Sequence, residues 1–254
     1  MRLKHLFALF APYLGLGLGL FVCSLPLLAV AVEFKPPRRG LPGRREGAGT
    51  RDPAACVRGN PSQLTAIMPQ TNLGLTTAAY PRFFWYIPKT RAKLAEFRLV
   101  SGGEAASQDA TAQTDKTPIY TATFSITGTP GIASLSIPRH ATIPPLTVGQ
   151  DYQWSLALVC NPDNRKQDIR VNGWVQRITP TADLTNKLVK ASPNDRLRLY
   201  ADNGIWFNTL STLAELRCTN PQDASLVASW TELLKSVKLT TIAEQPLIQQ
   251  CGEN

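Results

Sequence analysis

One stretch of the 254-residue chain reads Tyr152-Gln153-Trp154-Ser155-Leu156-Ala157-Leu158-Val159-Cys160. Every second position carries Tyr, Trp, Leu, Leu or Cys, and smaller or polar residues stand between them. Side chains that repeat with a period of two lie on one face of a β-strand. The stretch therefore predicts a strand with one strongly apolar face.

Six other segments carry the same period-two signal, and turn-forming Gly, Pro and Asn residues separate them. Seven short strands with turns at this spacing predict an antiparallel β-sandwich, with an immunoglobulin-like topology as the default. No helix of useful length lies between the strands, which disfavours a doubly wound nucleotide-binding fold. The six segments are 64–68, 83–87, 94–100, 119–126, 132–137 and 169–178.

The hydrophobic period becomes helical after Thr179-Pro180. A short helix is expected over 183–190, and Ser192-Pro193 caps and opens a second one that Gly204 ends. A third helix is expected over 205–217, and Asn220-Pro221 opens a fourth.

This helical segment resembles one unit of a tetratricopeptide repeat. Leu197 and Thr209 depart from the small residues that the repeat prefers, and a single unit is fewer than the roughly three that make a stable solenoid. The resemblance implies one repeat-like hairpin plus a further helix, docked on the sandwich. The residues that match the repeat are Tyr200, Gly204, Trp206, Leu213, Leu216 and Pro221.

Four regions follow from these patterns, and the fold class is α+β. Residues 1–31 are expected to be a signal peptide, and residues 32–55 a disordered basic linker rich in Pro, Gly and Arg. Residues 56–180 form the predicted β-sandwich domain. Residues 181–254 form the predicted helical segment docked on it.

The leader has a basic start at Arg2 and Lys4, an uncharged run over 6–32, and small residues at Ala29 and Ala31. These features predict a cleaved export signal, with no stable membrane span once it is removed. The run is also long enough for a retained anchor, so that alternative stays open. Export places the mature chain in the periplasm or outside the cell.

The chain carries a formal net charge of +9, from 27 Lys and Arg against 18 Asp and Glu. The basic residues are spread over the linker and the strands without a dense Lys/Arg stripe, so a nucleic acid partner is not expected.

The four cysteines after the leader allow three pairings. We favour a disulfide between Cys56 and Cys160, which joins the first ordered residue to the end of the most apolar strand. Cys218 and Cys251 either pair or remain reduced.

Residues for catalysis are sparse after the leader. His140 is the one histidine there, no Gly-x-Ser-x-Gly elbow supplies a nucleophile, and neither Cys-x-x-Cys nor a histidine pair indicates zinc. No phosphate-binding loop is present, and no cofactor is expected. Asp151, Asp163 and Asp168 all stand beside turns, and no pair of them is singled out for glycoside hydrolysis.

Four consecutive aromatic residues run from Phe83 to Tyr86. Neighbouring side chains on a strand point to opposite faces, so one face fills the sandwich and the other lies outside it. Either the C-terminal helices cover that outer face, which we favour, or Phe84, Trp85 and Tyr86 contact a glycan or a partner.

Several strings taken together are similar to a known family, the cyanobacterial domain-of-unknown-function 928 family. The resemblance runs from about residue 41 to residue 246. It implies an exported protein without an assigned activity, and it supplies no catalytic residue. The strings are those at 72–81, 83–88, 127–131 and 204–206.

Together these features predict an exported, non-enzymatic interaction or envelope-associated module. Its partner is expected to be another envelope protein or a glycan. The alternatives are a glycan-binding module and a carboxylate-dependent glycoside hydrolase.

Overall fold

A computed structural model describes residues 32–47, 56–57, 63–102, 117–139 and 142–248. The expected signal peptide, residues 48–55 of the expected linker, His140 and Cys251 lie outside these ranges. Among the described residues, none of the helices combines the length and apolar character that a membrane crossing needs.

All seven predicted strands are present, and the structure adds an eighth, β2, that the sequence analysis missed. The strands are β1 (Thr65–Ala66), β2 (Leu73–Thr76), β3 (Arg82–Ile87), β4 (Leu94–Ser101), β5 (Pro118–Ser125), β6 (Gly131–Ser136), β7 (Asp151–Val159) and β8 (Ile169–Arg177).

The strands form two sheets. One has the order β1-β3-β6 and is antiparallel, and the other has the order β2-β8-β7-β4-β5. The prediction of a purely antiparallel sandwich is wrong at one edge, because β2 runs parallel to β8. After β2 the chain enters the other sheet, so no hairpin forces an antiparallel pairing with β8. The immunoglobulin-like topology stays a prediction.

An aromatic cluster fills the space between the sheets. Phe83 lies 4.9 Å from Phe97 and 5.4 Å from Trp154, measured between ring centroids. Trp85 stacks on Phe97 and on Phe124 of the second sheet. The apolar face of β7 that the sequence predicted therefore contributes Trp154 to this core.

Four helices follow β8 where the sequence placed them: α1 (Ala182–Lys190), α2 (Pro193–Asp202), α3 (Trp206–Thr219) and α4 (Ala224–Ser236). Ser192 caps α2 as predicted, since its side chain accepts a hydrogen bond from the Asp195 N–H. The fourth helix begins later than expected, because Asp223 caps it instead of Asn220-Pro221 opening it. The likeness of α2 and α3 to a tetratricopeptide unit stays a prediction.

Helix α3 packs closely on β2, and Gly74 permits this approach. A Cβ at Gly74 would lie 2.5 Å from Phe207 Cε2. A larger residue at this position would therefore have to displace the buried Phe207 ring.

The second face of β3 lies under the helices. Phe84 packs against Trp230 of α4 with ring centroids 6.2 Å apart. Phe84 and Tyr86 are each 2% exposed and Trp85 is 0% exposed. An aromatic platform at Phe84, Trp85 and Tyr86 is therefore not formed, since the helices and the opposite sheet take up both faces of the strand.

Residues 32–47, expected to be part of a disordered linker, pack along the molecule instead. Phe34 is buried with its ring 4.6 Å from that of Trp206, and the Lys35 N–H donates to the Ala201 carbonyl. Arg45 donates to the carbonyl oxygens of Met68 and Val237. The compositional argument missed two features. Phe34 is an apolar anchor ahead of the Pro/Gly run, and the Arg45 guanidinium reaches backbone carbonyls of the folded domain.

The predicted disulfide between Cys56 and Cys160 is confirmed, with the two Cα atoms 5.2 Å apart. It joins a segment before the first sheet to the residue that follows β7. The second expected pairing involves Cys251 and so falls outside the described residues.

Candidate functional site

A groove of about 1310 Å³ runs between helices α2 and α3 on one side and the end of β6 on the other. The segment before β3 also lines it. Its lining comes from five stretches of chain: 76–82, 134–139, 193–200, 207–212 and 215–219.

Asn208 holds one wall of this groove in place. Its Oδ1 accepts hydrogen bonds from the Thr76 hydroxyl at 3.1 Å and from the Thr77 N–H at 2.9 Å. Its Nδ2 donates to the Thr77 hydroxyl at 2.9 Å. The end of β2 is thereby tied to the first turns of α3.

Arg82 lies in the groove wall at the start of β3. Its Nε donates to Ser134 Oγ at 2.7 Å, and its guanidinium lies 5.4 Å from the Phe84 ring centroid. Burial lowers the pKa of Arg82, and the nearby Glu215 carboxylate acts in the opposite direction. The guanidinium stays charged at neutral pH, because an arginine begins from a very high pKa.

Two more arginines line the groove. Arg196 on α2 donates from Nε to the Leu188 carbonyl at 3.1 Å, and Arg139 follows β6 at an exposed position. Glu215 is the one carboxylate among the described lining residues. The groove thus carries three positive charges against one negative charge.

Hydroxyl groups and two tyrosines make up much of the remaining polar lining. The Tyr80 hydroxyl donates to the Ile143 carbonyl at 3.1 Å, which holds its ring in the wall. Groups of this kind can both donate and accept hydrogen bonds. The residues are Thr76, Tyr80, Ser134, Ser136, Tyr200, Ser211, Thr212 and Thr219.

The three aspartates considered in the sequence lie elsewhere, and Asp151 and Asp168 hold local structure. Asp168 has a fully buried side chain, with Arg165 at 2.7 Å and Arg170 at 2.9 Å. Asp151 pairs with Arg39 and accepts from Gln176. None of Asp151, Asp163 and Asp168 lines the groove. No group of three metal-ligating side chains occurs in the described part of the chain.

Sequence reasoning missed the groove residues Arg196, Asn208 and Glu215. Each is an ordinary polar residue on a helix, and no local pattern separates it from other solvent-facing positions. Arg82 directly precedes the aromatic run 83–86, and nothing in that run indicates a binding role for it. These residues come together only in the folded structure.

A family model described as Domain of Unknown Function (DUF928) matches residues 46–247. The chain belongs to the DUF928 family. The matched range includes every residue that lines the groove and both cysteines of the confirmed disulfide. The described groove lining thus lies within the matched domain. Neither a curated protein nor a solved structure matches the chain.

Proposed function

We propose that this DUF928 protein is an exported, non-enzymatic binding module that holds an acidic polymer in the groove. The groove's three arginines against a single carboxylate carry the proposal. The size, charge and lining chemistry of the groove support the proposal, as does the expected compartment of the protein.

The size of the groove favours a polymeric ligand. At about 1310 Å³ it exceeds the roughly 300–1,000 Å³ typical of sites for small molecules. It also runs along two helices and a strand end, so several units of a chain could lie in it side by side.

The charge favours an acidic ligand. Arg82 is half-buried, and a partly desolvated guanidinium gains more from a carboxylate or sulfate than one in bulk water. Planar guanidinium groups bind such oxyanions through two parallel hydrogen bonds.

The hydroxyl-rich lining favours a glycan over a protein as the acidic polymer. Sugar hydroxyls need partners that donate and accept, and Ser211, Thr212 and Tyr200 supply them. Tyrosine rings add an apolar surface with a polar tip. An acidic envelope protein is the competing partner.

The leader pattern and the disulfide both support an exported compartment. A bond between Cys56 and Cys160 persists in oxidising surroundings such as the periplasm or the cell exterior. An envelope polysaccharide would be accessible to the protein there.

The carboxylate content of the groove lining favours binding without hydrolysis. A glycosidase uses two carboxyl groups that flank the scissile bond. Among the described lining residues only Glu215 offers one, so the proposal assigns no catalytic role to it.

The test compares the binding of polygalacturonate, dextran and polyglutamate to the purified protein. We expect Arg196→Met to weaken polygalacturonate binding about tenfold or more, because a hydrogen bond to a charged group is worth about 1.5–3 kcal/mol. Arg198→Met removes the same charge from the exposed side of α2 and should leave binding unchanged. Dextran should not bind.

The alternatives give other outcomes. Binding of polyglutamate in preference to polygalacturonate would replace the glycan with a protein partner. Release of new reducing ends from polygalacturonate would replace the binding module with a hydrolase. Equal losses from Arg196→Met and Arg198→Met would show that the groove is not the site.

A further inference from the structure

A second, smaller cavity of about 270 Å³ lies between α3, the start of α4 and strand β3. It is separate from the groove, although Arg82 reaches both. Its walls are Arg82, Phe84, Ala214, Arg217, Cys218, Asn220, Pro221, Val227, Pro246 and Leu247.

Two guanidinium groups, those of Arg82 and Arg217, face this cavity, and none of its described lining residues is acidic. Neither arginine has a carboxylate oxygen within 4.0 Å among the ion pairs of the described residues. Burial lowers the pKa of Arg217. Two partly desolvated positive charges beside one small cavity leave a strong local preference for an anion.

Aromatic rings fix both guanidinium groups in position. The Arg217 guanidinium lies 5.3 Å from the Trp230 ring centroid, and that of Arg82 lies 5.4 Å from the centroid of Phe84. A guanidinium that already rests on a ring loses little freedom when an oxyanion binds. Each guanidinium is therefore partly ordered before a ligand binds.

The rest of the cavity wall is mostly apolar. Phe84, Val227 and Leu247 contribute hydrocarbon surface, and two prolines and an alanine extend it. The two guanidinium groups could bind some oxygens of an inorganic phosphate, but its remaining oxygens would lose water against these walls without a hydrogen-bond partner. A ligand with one charged end and a short apolar body would satisfy both parts of the lining.

We propose that this cavity binds a small carboxylate with an apolar body, its carboxyl group between Arg82 and Arg217 and its apolar part against Phe84, Val227 and Leu247. This site takes a small molecule. It shares Arg82 with the groove, whereas Arg217 lines the cavity and is not among the described lining residues of the groove.

The test uses hexanoate, hexanol and inorganic phosphate as probes of the purified protein, read by calorimetry and by the thermal midpoint. Hexanoate should bind saturably and raise the midpoint, because a ligand of the folded state stabilises it. Hexanol has the same chain without the charge and should not bind measurably. Inorganic phosphate should bind more weakly than hexanoate.

Four variants assign the site. Arg217→Met keeps the length of the side chain and should weaken hexanoate at least tenfold, and Arg217→Lys should weaken it less because the charge remains. Arg198→Met removes an exposed charge elsewhere and should bind hexanoate normally. Val227→Trp places a bulky group at the cavity wall, at a position that is 43% exposed and so tolerates it, and should also weaken hexanoate.

Failure of hexanoate to bind would overturn the proposal, as would binding that neither Arg217→Met nor Val227→Trp weakens. Tighter binding of phosphate than of hexanoate would overturn the carboxylate assignment. Because Val227→Trp leaves both arginines in place, the result stays interpretable if Arg217→Met does not fold.

Discussion

Single side chains of β3 decide how the two sheets and the helices meet. Trp85 and Phe83 point between the sheets, and Phe84 points at α4. Strand β3 therefore packs against the other sheet on one face and against the helices on the other. Aromatic side chains suit this position because each buries a large apolar area.

Replacing Trp85 with alanine should destabilise the protein strongly. Trp85 is fully buried and stacks on Phe97 and Phe124, so truncation leaves a large cavity. We expect the free energy of unfolding in urea to fall by about 3–5 kcal/mol. Val189→Ala, at a position that is 75% exposed, should change it by less than about 0.5 kcal/mol. A stable Trp85→Ala protein would show that the ring is not part of the core.

Gly204 is a second residue on which much depends. Its φ is +69°, and a Cβ there would lie 2.6 Å from the Lys35 carbonyl oxygen of the N-terminal arm, residues 32–47. The glycine thus permits both the turn between α2 and α3 and the close passage of this arm.

Gly204→Ala should detach the N-terminal arm. Gly149→Ala is a matched control, since Gly149 has φ +81° but no atom within 4 Å of the added Cβ. Both variants incur backbone strain of about 1–2 kcal/mol, and only Gly204→Ala also incurs the clash. We expect trypsin to cleave within 35–45 faster in Gly204→Ala than in Gly149→Ala. Equal cleavage rates would contradict the close passage.

At the scale of elements, the contact of α3 with β2 builds one wall of the groove. Gly74 allows the two to approach, and Asn208 ties them together through Thr76 and Thr77. The position of α3 on β2, and with it the shape of the groove wall, therefore depends on a few side chains.

Asn208→Ala should loosen this contact. The substitution removes hydrogen bonds to Thr76 and Thr77 and leaves partly buried partners unsatisfied, which costs about 1–3 kcal/mol. Asn203→Ala removes one exposed hydrogen bond to Leu199 and should cost less. Urea unfolding of both variants measures the difference, and an Asn203→Ala loss as large as that of Asn208→Ala would contradict the role given to Asn208.

At the scale of the whole molecule, the disulfide joins residues 104 positions apart. A loop of that length restricts the unfolded chain, and the chain-entropy model assigns it about 4 to 5 kcal/mol. The bond also ties a segment near the N-terminal arm to the larger sheet.

Replacing both Cys56 and Cys160 with serine should therefore lower the free energy of unfolding by up to about 4 to 5 kcal/mol. The double variant is compared with the parent by urea unfolding without reductant. Val189→Ala again serves as the control for a neutral substitution. A double variant as stable as the parent would show that the bond contributes nothing to the folded state.

Much of the secondary structure followed from local patterns. The alternation around Trp154 and the capping pair Ser192-Pro193 depend on neighbours within a few residues, and both appear in the structure as predicted. The pairing of Cys56 with Cys160 was also predicted from the sequence, because Cys160 stands at the end of the most apolar strand and Cys56 at the expected start of order. Strand β2 was missed because Leu73–Thr76 is short, and its partner β8 lies about 100 residues away.

The sequence by itself determined the strands around the apolar core, the four helices and the principal disulfide, because each depends on local periodicity, capping or cysteine position. Only the tertiary structure decided the docking of residues 32–47, the burial of both faces of β3 and the two cavities. These features need residues distant in sequence, such as Arg82 and Arg217, to meet at fixed positions. That meeting depends on how the sheets and helices pack, which no local pattern encodes.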